Sequence, residues 1–213
     1  KALGSTSPSN AKKEATLKIT GLDGTVKTQI LRVAPRTYKT QRINGLPSRM
    51  VIPKPEDVVR IRAENTDIAR VRTLNTRQAY FSSGFIWPVT GPVSGAFGSQ
   101  RILNGKPKNP HNGTDIAAPE GTIIKAPADG VVALVHDDMF YTGNTLMLDH
   151  GFGLTSVYAH MSALLVNEGD LVKQGTPIGK VGKTGRVTGA HLHWGVTLNQ
   201  THLDPALIVG DMN

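Results

Sequence analysis

The sequence predicts a mainly β protein: an antiparallel β-sandwich or open barrel over residues 84–213, preceded by a small strand-plus-helix accessory segment over residues 1–83. Three observations predict it. Glycine is sparse before residue 84, with 4 of 23, and dense after it, where short apolar runs alternate with turn signals. The charge divides at the same place: residues 1–83 carry 16 Lys/Arg against 6 Asp/Glu, and residues 84–213 carry 8 against 10. One long stretch of helical periodicity lies in the first part, and all seven histidines lie in the second. The junction falls near Phe81-Ser82-Ser83-Gly84.

Taken in order, residues 1–13 are rich in Ser, Ala, Asn and Lys and read as a frayed terminus. Thr16–Thr20 and Thr25–Val33 flank Gly21-Leu22-Asp23-Gly24, where Asp-Gly signals a turn, so two short strands are expected. Ile43–Pro55 contains three prolines and one glycine and predicts an extended linker. Val58, Ile61, Ile68, Val71 and Leu74 then recur at helical spacing, with Asn65 interrupting the stripe, and predict a helix over Glu56–Leu74. Pro55 suits its start, and Glu56 and Asp57 sit where the helix dipole favours acids. Glu56–Arg60 and Arg60–Glu64 are i,i+4 pairs. Its basic outer face is read as solvated. Beyond Phe85 the expected strands are Ile123–Lys125, Gly130–His136, Asn144–Asp149, Leu154–His160, Pro177–Val181 and His193–Leu198. Asp129-Gly130, Glu168-Gly169-Asp170 and Gln174-Gly175 punctuate them. Ser162–Leu165 reads as a single helical turn.

Composition excludes several classes. A hydrophobic share of 38% supports a sizeable core and argues against disorder. The absence of cysteine removes disulfide scaffolds, zinc–cysteine fingers, iron–sulfur sites and thiol catalysis. No window reaches the 18 or so apolar residues of a transmembrane helix. A net charge of +8 raises the question of an anionic partner. Nucleic acid is set aside, because aromatics make up 5% and no recognition motif is present. Gly179-Lys180-Val181-Gly182-Lys183-Thr184 fails as a phosphate loop, since Pro177 stands where that loop needs glycine.

Three pieces of the β unit carry chemistry. His111-Asn112-Gly113-Thr114-Asp115 spaces a histidine and a carboxylate so that both can reach one ion, across an Asn-Gly turn. In His191-Leu192-His193 the two histidines share a strand face about 6.6 Å apart, and Leu192 points into the core. Tyr158-Ala159-His160 ends a strand whose alternation places Ser156, Tyr158 and His160 on one face. Each piece alone is weak. Together, a mixed His/Asp ligand set with an open position is the pattern of a catalytic zinc site. Spare histidines beside it would serve proton transfer and oxyanion stabilisation.

These motifs resemble the LytM/lysostaphin-type zinc metallopeptidases, which cleave the peptides of bacterial cell walls. That family has an H-x-x-x-D motif, an H-x-H motif and an intervening histidine in a Tyr-Ala-His-like strand, all present here in order. The surrounding text is similar as well, including Gly95-Ala96-Phe97-Gly98-Ser99-Gln100-Arg101, Ala126-Pro127-Ala128-Asp129-Gly130 and Gly182-Lys183-Thr184-Gly185-Arg186. The likeness runs from about Trp87 to Pro205. It implies one zinc ion held by His111, Asp115 and His193, and a catalytic pair, His160 and His191, whose separate roles stay unassigned. Arg101 and Asn144 match positions near the family's cleft, and these two together with Tyr158 are candidate substrate contacts. The family often has an acidic residue after the aromatic that follows H-x-H; here Trp194 is followed by Gly195, a departure that touches no ligand.

The resemblance further implies a peptidoglycan endopeptidase. We expect D,D-cleavage of stem-peptide cross-links rather than of glycine bridges, outside the cytoplasm, periplasmic or secreted. Lys1 stands where a removed signal or anchor would have preceded it. The alternative is a non-catalytic LytM-like domain that binds the wall and activates other murein hydrolases; the intact five positions favour activity. The basic segment 1–83 is expected to scaffold the catalytic unit rather than occlude it, and to contact an anionic envelope polymer. Half-motifs similar to biotinyl and lipoyl domains carry no lysine between Lys125 and Lys173, so a carrier role is set aside. His150 is read as structural in a turn, His136 as part of an exposed loop beside Asp137-Asp138, and His202 has no partner in the sequence.

Overall fold

A computed structural model describes residues 14–212. The expected fraying of residues 1–13 lies outside the described residues. The elements in chain order are β1 (Glu14–Thr20), β2 (Val26–Arg32), β3 (Thr40–Ile43), α1 (Ser48–Val51), α2 (Pro55–Arg72), β4 (Val93–Gly95), β5 (Gln100–Leu103), β6 (Lys106–Lys108), β7 (Thr114–Ala117), β8 (Ile123–Lys125), β9 (Gly130–Met139), β10 (Gly143–Gly151), β11 (Leu154–Met161), β12 (Ala163–Leu164), β13 (Leu171–Val172), β14 (Pro177–Lys180), β15 (His191–Leu198), β16 (Thr201–Leu203) and α3 (Ala206–Val209). A 3₁₀ turn covers Tyr80–Ser83. None of the described helices is long and apolar enough to cross a membrane.

The predicted fold class holds. The main sheet is antiparallel, in the order β13-β9-β10-β11-β15-β7-β4, with β16 on β15. A second sheet, β12-β14-β8, covers one face. Between them Ile124, Ile178 and Val181 meet Leu146, Leu148, Tyr158, Leu192, Trp194 and Val196. Strand β10 is buried along nearly its whole length, because the opposite face is covered too. There Val71 of α2 packs on Leu134, Met139, Met147 and Val157, flanked by Ile68 and Leu74.

Helix α2 begins at Pro55 as the proline suggests, and the C-terminal half of the predicted stripe packs on the sheet, but the N-terminal half does not set the buried face. The buried residues are Asp57, Glu64 and Val71, two of them charged, while Val58 and Ile61 are only partly covered. The charges are satisfied: Asp57 accepts from Arg49, and Glu64 accepts from Arg60 Nε at 2.6 Å and from the Phe140 backbone N–H at 2.8 Å. Truncating Val71, which is 0% exposed, to Ala is expected to cost about 2 kcal/mol of stability. Urea unfolding of Val71→Ala measures this; an unchanged midpoint would contradict the docking of α2 on the sheet.

Four local expectations are corrected. The 43–55 stretch is not all extended, since α1 forms within it, and Leu46 and Val51 pack on Leu103. Ser162–Leu165 makes no helical turn; β12 pairs there with β14. His136 belongs to strand β9, whose residues run on to Met139, rather than to a loop. His150 lies within strand β10, one residue from its end, instead of sitting in a turn, and it is fully buried. Its structural role has a physical form. Nδ1–H donates to the Asp129 carbonyl at 2.7 Å, and Nε2 accepts from Ser156 at 2.8 Å.

Burial pulls the His150 pKa down to about 4, so the native state keeps this ring neutral where the unfolded chain would protonate it. The unfolded state therefore binds more protons between about pH 6.5 and 4, and His150 lowers stability as pH falls through that window. The full effect is roughly 3 kcal/mol. The stability advantage of wild type over His150→Gln is expected to shrink across that interval. A gap that stays constant from pH 7 to 4 in urea titrations would contradict the assignment.

Candidate active site

Strand register assembles the site. In β7, Asp115 is the direct partner of His193 in β15, and His193 is the partner of Ala159 in β11. Three adjacent strands thus bring the H-x-x-x-D, H-x-H and Tyr-Ala-His motifs to one place, since directly paired residues lie only about 5 Å apart. His111 precedes β7 on a loop closed by the 98–99 backbone: its N–H donates to Ser99 at 2.9 Å, and its carbonyl accepts from Gly98 at 2.8 Å.

His160 arrives by a route that alternation does not foresee. Strict alternation would set it beside Ser156 and Tyr158. Its φ is +66° instead, and its ring centroid lies 4.8 Å from that of His191 and 6.2 Å from that of His193. A left-handed backbone at a residue with a Cβ costs roughly 1–3 kcal/mol, and here it turns the ring out of the core. The His160 N–H donates to the Thr142 carbonyl at 2.7 Å and helps hold that backbone.

The donor atoms converge. His111 Nε2 and Asp115 Oδ1 are 3.0 Å apart, Asp115 Oδ1 and His193 Nδ1 are 2.8 Å apart, and His111 Nε2 and His193 Nδ1 are 3.0 Å apart. All three residues are wholly or largely buried. His111 Nδ1–H donates to the Ala96 carbonyl at 3.3 Å, which leaves the Nε2 lone pair facing its neighbours. Burial draws His193 down to about 4 against the pull of Asp115. Burial pushes the Asp115 carboxyl up, but its contacts with His111 and His193 outweigh it and hold the group well below the usual carboxylate range. Two imidazole nitrogens and one carboxylate oxygen crowded at about 3 Å fit a single zinc ion. Space is reserved for them: a Cβ at Gly113 would lie 2.7 Å from His193 Cε1, and one at Gly95 would strike the Asp115 carboxylate.

The catalytic candidates stand beside this cluster. His160 Nδ1–H donates to the Thr184 carbonyl at 2.9 Å, and His191 Nδ1–H donates to the Gly189 carbonyl at 2.9 Å. Each Nε2 is left as the working atom. His191 Nε2 is 3.9 Å from Asp115 Oδ1. Burial, reinforced by His191 and His193, lowers His160 to about 3. The segment weighed as a phosphate loop therefore has another use, because Thr184 orients His160.

The candidate substrate contacts separate. Tyr158 is 0% exposed and its hydroxyl bonds Ser156 at 2.8 Å, so it belongs to the core and does not face the cleft. The Asn144 side chain accepts from the Asp138 N–H at 3.0 Å in the β9–β10 hairpin. Arg101 does reach the site, where its guanidinium pairs with Asp115 Oδ2. That contact was not foreseen, and neither were the orienting carbonyls of Ala96, Thr184 and Gly189. Backbone acceptors leave no mark in residue identity.

Comparison with known proteins agrees with this geometry. The model of "Peptidase family M23" matches residues 109–205. A Pseudomonas aeruginosa crystal structure assigned to peptidase M23 is 33% identical, with a TM-score of 0.72, over 95% of this chain and 76% of that one. The chain belongs to peptidase family M23. This agrees with the likeness to LytM-type peptidases drawn from the motifs. Among curated relatives, the peptidoglycan DD-endopeptidase ShyA of Vibrio cholerae is 46% identical over 85 residues, 40% of this chain and 20% of that protein. The DD-carboxypeptidase/endopeptidase Mpg of Neisseria meningitidis is 43% identical over 98 residues, 46% of this chain and 22% of that protein. The matched stretch thus spans about a fifth of the length of these relatives.

Proposed function

We propose that this chain carries the catalytic unit of a zinc-dependent endopeptidase that hydrolyses peptide bonds in peptidoglycan, with the D,D cross-link between stem peptides as its substrate. The observation that carries the reading is the convergence of His111 Nε2, Asp115 Oδ1 and His193 Nδ1 beside the oriented pair His160 and His191. When bound, zinc supplies Lewis acidity toward water and the scissile carbonyl. The residues do the rest. One Nε2 of the His160–His191 pair takes the proton from the attacking water and returns it to the leaving amine. The other donates a hydrogen bond to the oxygen where negative charge develops. The D,D choice is supported by the names of the relatives from Vibrio and Neisseria.

Digestion of defined muropeptide dimers with mass analysis tests it, and release of monomers is expected. Inertness on the dimers together with cleavage of polyglycine would overturn the bond assignment. We place the protein outside the cytoplasm with its substrate, assign the chemistry to residues 84–213, and read 1–83 as a scaffold. The contacts of α2 with the sheet support that role. Removing residues 1–54 is then expected to cost solubility; a rise in hydrolysis would instead mean occlusion. The basic segment remains our candidate for an anionic envelope polymer, with Lys18, Lys27 and Arg32 exposed on the β1–β2 hairpin.

A further inference from the structure

The loop that carries His111 closes on the backbone just before β5, and β5 is itself held by the accessory segment. Strand β3 runs parallel to β5, with Gln41 paired to Arg101. The pairing is closed at both ends: Gln100 N–H donates to the Lys39 carbonyl at 3.0 Å and Asn104 N–H to the Ile43 carbonyl at 2.8 Å. The Gln41 amide donates to the Ser94 carbonyl at 3.1 Å. Gly98, at φ +79°, leaves room for the Tyr38 ring, into which any Cβ would intrude. From β5, the Arg101 side chain is 19% exposed and reaches Asp115 Oδ2. The other oxygen of that carboxylate, Oδ1, faces His193 and His111. The two oxygens therefore have separate partners.

We propose that Arg101 is a positioning residue for the metal centre, and that strand β3 keeps it in place. A guanidinium fixes the plane of a carboxylate through directed N–H donors. With Oδ2 engaged, Asp115 presents Oδ1 alone toward the ligand cluster. Without Arg101 the carboxylate is free to rotate away from the point shared by His111 Nε2 and His193 Nδ1. Partners of this kind typically matter 10–100-fold in metal affinity. An opposing effect exists, since a cation near a dication repels it. The proposal holds that orientation outweighs repulsion, so the sign of the change is itself diagnostic. The inference rests on the reading of His111, Asp115 and His193 as zinc ligands.

The test uses the full chain, stripped of metal and titrated with zinc against a competing chromophoric chelator. Wild type is compared with Arg101→Gln, Arg101→Lys and Gln41→Pro, with metal-free thermal melts run in parallel. Arg101→Gln is expected to lose about 10- to 100-fold in zinc affinity with little change in the metal-free melt, and its activity should recover as zinc is raised. Arg101→Lys keeps the charge without the fork and should lose less. Gln41→Pro removes the backbone N–H of the residue paired with Arg101 and should move affinity in the same direction. Zinc affinity equal to or tighter than wild type in both Arg101 variants overturns the proposal. Should Arg101→Gln melt early, Arg101→Lys decides alone. Weak binding in Arg101→Gln with wild-type binding in Gln41→Pro removes the part assigned to β3. A wild-type chain that takes up no zinc refutes the metal reading instead.

Discussion

Asp115→Ala is expected to abolish stoichiometric zinc binding and to cut muropeptide hydrolysis by at least about 10³-fold. The size follows from how many groups the carboxylate serves. Oδ1 stands 2.8 Å from His193 Nδ1 and 3.0 Å from His111 Nε2, and Oδ2 takes the Arg101 guanidinium. Removing it takes the only negative charge from the ligand set. It also leaves Arg101, with its Nε already unpaired and buried, without a partner for its charge. Two histidines would remain, too few to hold zinc against a chelator. Metal analysis after dialysis and activity on dimers are the measurements. Near-UV circular dichroism shows whether the core survives, as it should, because Trp194 and Tyr158 pack in the core beneath the sheet rather than on Asp115. A variant that keeps one zinc per chain would remove Asp115 from the ligand set.

The chemistry of the site was legible because it is carried by side chains at strand spacings. His191 and His193 two apart on one strand, and His111 four before Asp115 across a Gly turn, are patterns that survive without knowledge of the fold. Their convergence depends on pairing between β7, β15 and β11, which the order of motifs hints at but does not specify. What escaped is conformational or long-range. The left-handed backbone at His160 is uncommon for any residue with a Cβ and carries no mark in the strand pattern, so alternation wrongly grouped it with Tyr158. Tyr158, offered as a substrate contact, lies in the core instead. The parallel pairing of β3 with β5 joins residues about sixty positions apart, beyond any local periodicity, and with it went the contact between Arg101 and Asp115. Helix α2 was found from its period. Its stripe residues Ile68, Val71 and Leu74 do pack on the sheet, but Asp57 and Glu64 are buried by partners on other segments that the helix sequence does not reveal.

His160→Ala and His191→Ala should each lower kcat by about 10²- to 10⁴-fold while the protein still binds one zinc. The separation between these histidines and the ligand set lies in their hydrogen bonds. His111 Nε2 and His193 Nδ1 point at Asp115. The rings of His160 and His191 are tethered through Nδ1 to Thr184 and Gly189, with the opposite nitrogen free. A backbone carbonyl accepting from Nδ1–H fixes the tautomer, so each ring offers a lone pair at Nε2 when neutral and a proton there when charged. With centroids 4.8 Å apart, the two rings can act on one reacting group. Because both act together on one step, the double variant should be little worse than the more damaging single one, as for groups that work as a unit. Kinetics on the three variants with zinc content measured in each checks this. Loss of zinc in His160→Ala would place that ring among the ligands, and additive losses in the double variant would mean two independent roles.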